Sequence, residues 1–185
     1  MPDDQIQHAV EVLKRGGVIA YPTEAVFGLG CDPLNADAVK RILHIKGRDA
    51  EKGLILIAAD YQQLKPFITS LDQETEKTLL ASWPGPVTWL IPANQSVSQS
   101  LRGSHSTLAV RVSDHPLVQE LCRAFGGAIV STSANPAGKE PARTAKQVKD
   151  YFKDQLDAIV EGQTGGLDKP TEIRDAITGE VIRSA

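Results

Sequence analysis

The sequence predicts an α/β domain built on a mixed sheet, and three observations carry that reading. Short apolar runs rich in Val, Ile and Leu alternate with amphipathic stretches of roughly ten residues. Glycine or proline stands at most of the junctions between them. Several connections are too short for a crossover, so part of the sheet is antiparallel. With 185 residues and 41% hydrophobic content the chain supports one core, and residues 1–185 are read as one domain.

Ile6, Ala9, Val10 and Leu13 recur at helical spacing before a Gly16-Gly17 stop. Val18 to Tyr21 reads as a buried strand, followed by a loop from Pro22 to Leu34. Asn35 caps a helix whose inward face is Val39, Ile42 and Leu43 and whose end carries Lys46-Gly47-Arg48. Leu54 to Ala58 is a strand, and helices are expected over Asp60 to Lys65 and Gln73 to Ser82. Trp83-Pro84-Gly85-Pro86 breaks the chain before a strand from Val87 to Ile91, with Trp83 and Trp89 assigned to the core. Leu108 to Val112 is the next strand. Pro116 opens a helix carrying Leu117, Val118, Leu121 and Cys122, which stops at Gly126-Gly127 ahead of Ala128-Ile129-Val130. Thr144 caps a last helix through Phe152, and Thr178-Gly179 turns a closing hairpin between Ile173 and Val181-Ile182.

Composition removes several function classes. A net charge of −3 argues against attachment to nucleic acid through a general phosphate field. Basic residues do gather locally, at Lys40, Arg41, Lys46, Arg48 and Lys52. The two cysteines, Cys31 and Cys122, lie far apart without metal-ligand spacing, which speaks against a structural zinc and for a reduced compartment. No apolar run approaches the ~20 residues that span a bilayer, and Met1 to Gln5 does not open a signal peptide. A cytoplasmic protein without membrane attachment is expected.

Four polar loops flank the apolar strands: Pro22-Thr23-Glu24, Lys46-Gly47-Arg48, Thr107 with Arg111, and Ser131 to Asn135. Loops at strand ends are the usual ligand sites of open α/β sheets. Read singly, Lys-x-Arg is a solvated helix end and Ser-x-Asn before proline an ordinary turn. Neither a Walker loop nor a Gly-x-Gly-x-x-Gly turn is present. The four histidines, His8, His44, His105 and His115, form no His-Glu-x-x-His pair and read as surface or cap positions.

Together these segments resemble the YrdC-like family of threonylcarbamoyl-AMP synthases along essentially the whole chain. The resemblance rests on Tyr21 to Gly30, Lys46-Gly47-Arg48, Trp83 to Thr88, Leu108 to Val112, and Ser131 to Pro136, in that order. It includes the family's pairing of Lys-x-Arg with a distant Ser-x-Asn, met by Lys46/Arg48 and Ser133/Asn135. The resemblance implies a twisted sheet with flanking helices around a large, concave, positively charged cavity. It also implies condensation of L-threonine, bicarbonate or carbon dioxide, and ATP into threonylcarbamoyl-adenylate with release of pyrophosphate. Magnesium would accompany the triphosphate, and no protein ligand for it is identified. Downstream proteins would then transfer the threonylcarbamoyl group to the adenosine beside the anticodon of certain tRNAs, and weak tRNA binding is compatible with such a cavity.

Residue roles follow from the same resemblance. Lys46 and Arg48 are the catalytic cations. Arg48, Lys52, Thr107, Ser133, Asn135 and Arg183 are nucleotide contacts, and Thr23, Arg111, Ser131 and Thr171 are threonine contacts. An anionic carbamate attacking an already anionic phosphate needs fixed cations, and an arginine can grip a carboxylate with two parallel hydrogen bonds where lysine cannot. No side chain is assigned as nucleophile, and the proton is left to the substrate amine or a water. Ala25, Ile57 and Pro170 to Ile173 depart from the family pattern. The alternative reading is an RNA-binding or ribosome-maturation module using the same basic cavity. A carbamoyl-transfer domain of the hydrogenase-maturation kind shares the fold but ordinarily sits in a much longer chain.

Overall fold

The computed structural model describes residues 2–185. Its organising element is a sheet of nine strands: β1 Ile19–Pro22, β2 Phe27–Gly30, β3 Ile55–Ala58, β4 Val87–Pro92, β5 Thr107–Val112, β6 Ile129–Ser133, β7 Ala158–Ile159, β8 Glu172–Asp175 and β9 Val181–Arg183. They lie in the order β7-β1-β2-β6-β3-β5-β4-β8-β9. Three neighbouring pairs, β1/β7, β3/β5 and β4/β8, are parallel and the other five antiparallel, so the sheet is mixed as expected. The helices are α1 Pro2–Lys14, α2 Ala36–Lys46, α3 Gln73–Ser82, α4 Gln99–Arg102, α5 Pro116–Phe125 and α6 Ala145–Phe152.

Two differences from the sequence reading stand out. The stretch read as a loop from Pro22 to Leu34 contains β2. Its Phe-Gly-Leu-Gly sequence has low strand propensity, yet β1 supplies a template for it, pairing Pro22 with Phe27 and Ile19 with Gly30. The expected helix from Asp60 to Lys65 is instead a pair of 3₁₀ turns, Tyr61–Gln63 and Lys65–Phe67, because Pro66 removes the donor that a longer helix needs. The closing hairpin is present as β8 and β9, and Trp83 and Trp89 both lie in the core.

Period-two alternation sorts the strand residues onto two faces. Phe27, Leu29, Leu56, Ala58, Trp89, Ile91, Leu108, Val110 and Val130 pack under α2, α3, α4 and α6 in the larger core. On the opposite face only Ile19, Tyr21, Ile57 and Ile129 are covered, by α1 and α5. The rest of that face has no apolar core above it, although Thr88, Arg111 and Ser131 are buried by polar neighbours. Ser133, Ile55, Ala109, Thr107 and Leu90 remain partly exposed although β6, β3 and β5 are central strands.

The bare face is concave. Strands β6 and β3 stand between β2 and β5, so a flat sheet would hold the β1–β2 hairpin and β5 roughly 14 Å apart. Glu24, at the tip of that hairpin, nevertheless reaches within 3.5 Å of Arg111 on β5. With the sheet's twist and the reach of these two long side chains, the hairpin tip folds over the floor.

Glycines in β2 permit the curl. A Cβ on Gly30 would lie 2.7 Å from both the Tyr21 ring and the Val130 carbonyl, and the Tyr21 hydroxyl donates to that carbonyl at 3.1 Å. Gly30→Ala should therefore force repacking costing roughly 1–3 kcal/mol and lower Tm by roughly 3–10 °C. Gly127→Ala, where a Cβ meets nothing within 4 Å, is the control and should leave Tm nearly unchanged. Equal melting temperatures for the two variants in a thermal scan would contradict this account of β2.

Candidate active site

The bare face has two chemically distinct ends, fixed by strand register. Ile55 of β3 lies opposite Ser131 of β6 and Ala109 of β5, which makes Ser131, Ile55 and Ala109 a floor across the middle. Two residues toward one end come Ser133 and Thr107, and two toward the other comes Arg111 beside Ile57. Alternation turns Thr107, Arg111, Ser131, Ser133 and Arg183 to the same side of the sheet. Thr171 joins them, since its hydroxyl accepts from Arg111.

The Lys46 end is built by a helix stop. Gly47 takes the left-handed conformation at φ 60° and caps α2. Its N–H donates to His44 O and the Arg48 N–H to Leu43 O, a Schellman turn that only glycine enters without strain. Lys46, the last helical residue, turns inward and is buried. Its ammonium donates to the Ser133 carbonyl, to Asn135 O at 2.8 Å and to Asn135 Oδ1 at 3.2 Å. Asn135 Oδ1 also accepts from Ser133 Oγ at 2.6 Å, and the Asn135 amide donates to Lys139 O at 2.8 Å. The Lys-x-Arg and Ser-x-Asn segments are thus one assembly, with the lysine inside it. Arg48 donates from Nε and Nη2 to Gly53 O at 3.2 and 3.0 Å, beside Lys52, whose side chain is exposed. Arg41 is not part of this group, because it turns outward to Asp157 at 2.5 Å.

The Arg111 end is more deeply buried. Arg111 Nη1 donates to Thr88 Oγ1 at 3.0 Å and Thr171 Oγ1 at 2.8 Å. Its Nε and Nη2 face the two oxygens of Glu24, each at 3.5 Å. Ser113 Oγ donates to Glu24 Oε1 at 2.8 Å and accepts from the His115 backbone N–H at 3.1 Å. Arg183 donates to the Thr171 carbonyl at 2.7 Å, which places it at this end, away from Arg48. Thr23 closes the hairpin tip through its hydroxyl on Val26 O at 2.7 Å, with its methyl toward the bare face of Gly28. His115 is the N-cap residue of α5, as the surface or cap reading of the histidines allows, and it is buried there.

Glu24, Ser113 and Thr88 were not singled out from sequence as site residues. Glu24 carried a usable signal, as a carboxylate following the apolar strand within a polar loop. Ser113 and Thr88 carried none, since their roles come from strand register.

Burial weakens the charged forms of three cations here. Burial, with a smaller push from the Arg48 charge, lowers the Lys46 ammonium from 10.5 to about 8. Burial likewise lowers Arg48, and burial together with the charge of Arg111 lowers Arg183. Among the described residues no group of three His, Cys, Asp or Glu side chains could hold a metal. A separate groove of about 810 Å³, lined by Leu34, Phe67 and Val97, contains none of these residues.

The Sua5/YciO/YrdC family model, described as "Telomere recombination", matches residues 11–185. The chain belongs to this family. It is 52% identical over 97% of its length to the threonylcarbamoyl-AMP synthase of Halorhodospira halophila, covering 94% of that protein. Among solved structures it resembles P. abyssi Sua5 complexed with L-threonine, with TM-score 0.87 and 32% identity over 92% of this chain, and spans 50% of the Sua5 chain. It also resembles E. coli YciO, with TM-score 0.85 and 28% identity over 99% of this chain and 89% of that one. The mixed α/β architecture with flanking helices is that of the family. Among the described residues no helix is long and apolar enough to cross a membrane.

The lowered Lys46 value has a consequence for stability. Between about pH 8 and 10.5 the unfolded chain carries a proton on Lys46 that the folded chain has lost, so this residue's contribution to stability rises with pH across that window. Below pH 8 the cost of the buried charge is fully present. Unfolding free energies of wild type minus Lys46→Met should therefore climb from pH 8 to 10 in denaturant titrations. Parallel pH profiles for the two proteins would show that the ammonium is not strained by burial.

Proposed function

We propose that this chain is an L-threonylcarbamoyl-adenylate synthase, a nucleotidyltransferase that joins L-threonine, bicarbonate or carbon dioxide, and ATP and releases pyrophosphate. The observation that carries the reading is the union of 52% identity to a threonylcarbamoyl-AMP synthase over nearly the whole chain with a concave, cation-lined face on the sheet. The RNA-binding alternative is not favoured, since near full-length relatives bear the synthase name.

The geometry suits a product with two ends. Thr107 and Arg111 lie four residues apart on β5, which is ~13 Å along an extended strand. Nucleotide phosphates are assigned to the end with Arg48, Lys52, Thr107, Ser133 and Asn135. The amino acid is assigned to the end with Thr23, Arg111, Ser131 and Thr171. Arg183, beside Arg111, would reach the amino acid first and the nucleotide only where the two meet. The carbamate oxygen attacks the α-phosphorus and pyrophosphate leaves, so no covalent enzyme intermediate is required. Catalysis comes from holding the reactants in line over a fixed floor and from cations that offset the meeting of two anions. Lys46 acts by fixing the Ser133 and Asn135 carbonyls while keeping its charge near the phosphates.

Magnesium fits as a passenger of ATP. The phosphate end offers hydroxyls, an amide and cations but no carboxylate cluster, which suits a metal carried on phosphate oxygens and supplying charge neutralisation there. The product would pass to proteins that modify tRNA, in the cytoplasm, with any tRNA contact by the synthase weak.

Arg48→Ala should keep Tm within a few degrees and lower pyrophosphate release at least ~10-fold, the loss of one charge-assisted hydrogen bond. Full turnover by this variant would remove Arg48 from the site. Arg111→Lys should raise the KM for threonine more than that for ATP, whereas equal changes in steady-state assays would contradict its assignment to the amino-acid end.

A further inference from the structure

We infer that Glu24 receives the α-ammonium of the amino-acid substrate and takes its proton before the C–N bond of the carbamate forms. The inference rests on the synthase reading above and adds a catalytic residue to it.

An ammonium has no lone pair, so it cannot attack bicarbonate until a base removes one proton. Glu24 is the carboxylate that the fold brings to the amino-acid end, and only 3% of its surface is exposed. A carboxylate this buried ordinarily has a close partner, and an Arg–carboxylate pair in good geometry closes to 2.7–2.9 Å. Here both contacts with Arg111 are 3.5 Å, and Arg111 Nε is buried without a hydrogen-bond partner. The guanidinium instead spends Nη1 on Thr88 and Thr171. Glu24 is therefore beside its counter-charge without being locked to it.

The two carboxylate oxygens are not equivalent. Oε1 accepts from Ser113 at 2.8 Å, which fixes the orientation of the group, while Oε2 has only the long Arg111 contact. An α-amino acid presents a carboxylate and an ammonium on adjacent carbons. With its carboxylate on Arg183 and on the remaining Nη2 N–H of Arg111, its ammonium falls to Oε2. The step balances. Glu24 takes one proton from R–NH₃⁺, and the resulting amine bonds to the bicarbonate carbon. The C–O bond to hydroxide breaks, and that hydroxide leaves as water with a second proton from nitrogen, giving R–NH–CO₂⁻. The proton on Glu24 passes to solvent through a cavity of about 540 Å³ that Glu24 lines with Asp114, His115 and Gln163.

The charged and titratable groups facing Glu24 are Arg111 on β5, Asp114 and His115 ahead of α5, and Tyr21 on β1, with Arg183 beyond Arg111. Only Glu24 among them is both negative and oriented at Arg111.

The test measures pyrophosphate release by wild type and Glu24→Gln from pH 7 to 10 with threonine, bicarbonate, magnesium and ATP. The amide keeps the Ser113 hydrogen bond but cannot take a proton. The variant should be at least ~100-fold slower at pH 7 and should close on wild type as rising pH deprotonates the free amine. A wild-type rate at pH 7, or a reduced rate running parallel to wild type at every pH, overturns the role of Glu24 alone. A wild-type protein that releases no pyrophosphate overturns the synthase reading and this inference with it. A second measurement needs no variant: 3-hydroxybutanoate, the threonine skeleton without its amine, should compete with threonine at least ~10-fold more weakly than threonine binds. Equal binding would show that no ammonium contact exists.

Discussion

A nine-stranded sheet with one face largely packed under helices and the other covered only in part must do something with the open area, and the candidate site follows from that asymmetry. Residues of one parity on β2, β3, β4, β5 and β6 form the larger core, and those of the other parity, where α1 and α5 do not reach, are mostly small or polar, with Ile55 and Leu90 as the large apolar ones. Left flat, such a face would be a hydrated surface. Curled until the β1–β2 hairpin meets β5, it becomes a hollow in which fixed charges act on a ligand with less competition from water.

The cations of the hollow are held by neutral acceptors more than by acids. Lys46 and Arg48 donate to backbone carbonyls and an amide oxygen, and Arg183 to a carbonyl. Among the described residues the carboxylate in direct contact with a site cation, Glu24, stands off from it. Carbonyl partners orient a cation without neutralising it, so net positive potential survives for an incoming anion. In a chain with a net charge of −3 these cations are thus gathered on one face of the sheet. Of the departures from the family pattern, Ile57 packs beneath α1 and α5 and Ala25 is buried at the hairpin tip, whereas the Pro170 to Ile173 segment carries Thr171, which accepts from Arg111.

Much of this was legible in the residues. The caps at Asn35 and Thr144, the glycine stops and the period-two runs placed most helices and strands within a few positions, because those signals are local. What escaped was set by distant partners. β2 is a strand because β1 and β6 flank it, and β7 has only two residues to announce itself. In the site, Lys46/Arg48 and Ser133/Asn135 were recognisable as a pair, but no sequence pattern revealed that the lysine is inside the assembly binding the asparagine loop. Arg183 looked like a nucleotide contact, and only the β8/β9 pairing discloses its closeness to Arg111.

The central claim is that one hollow receives both the amino acid and the triphosphate. A crystal structure of this protein with L-threonine and a non-hydrolysable ATP analogue tests it most directly. The account predicts threonine between Glu24 and Arg111 and phosphates against Arg48, both above Ser131, Ile55 and Ala109. Either ligand seated in the apolar groove of Leu34, Phe67 and Val97, with the hollow empty, would contradict it.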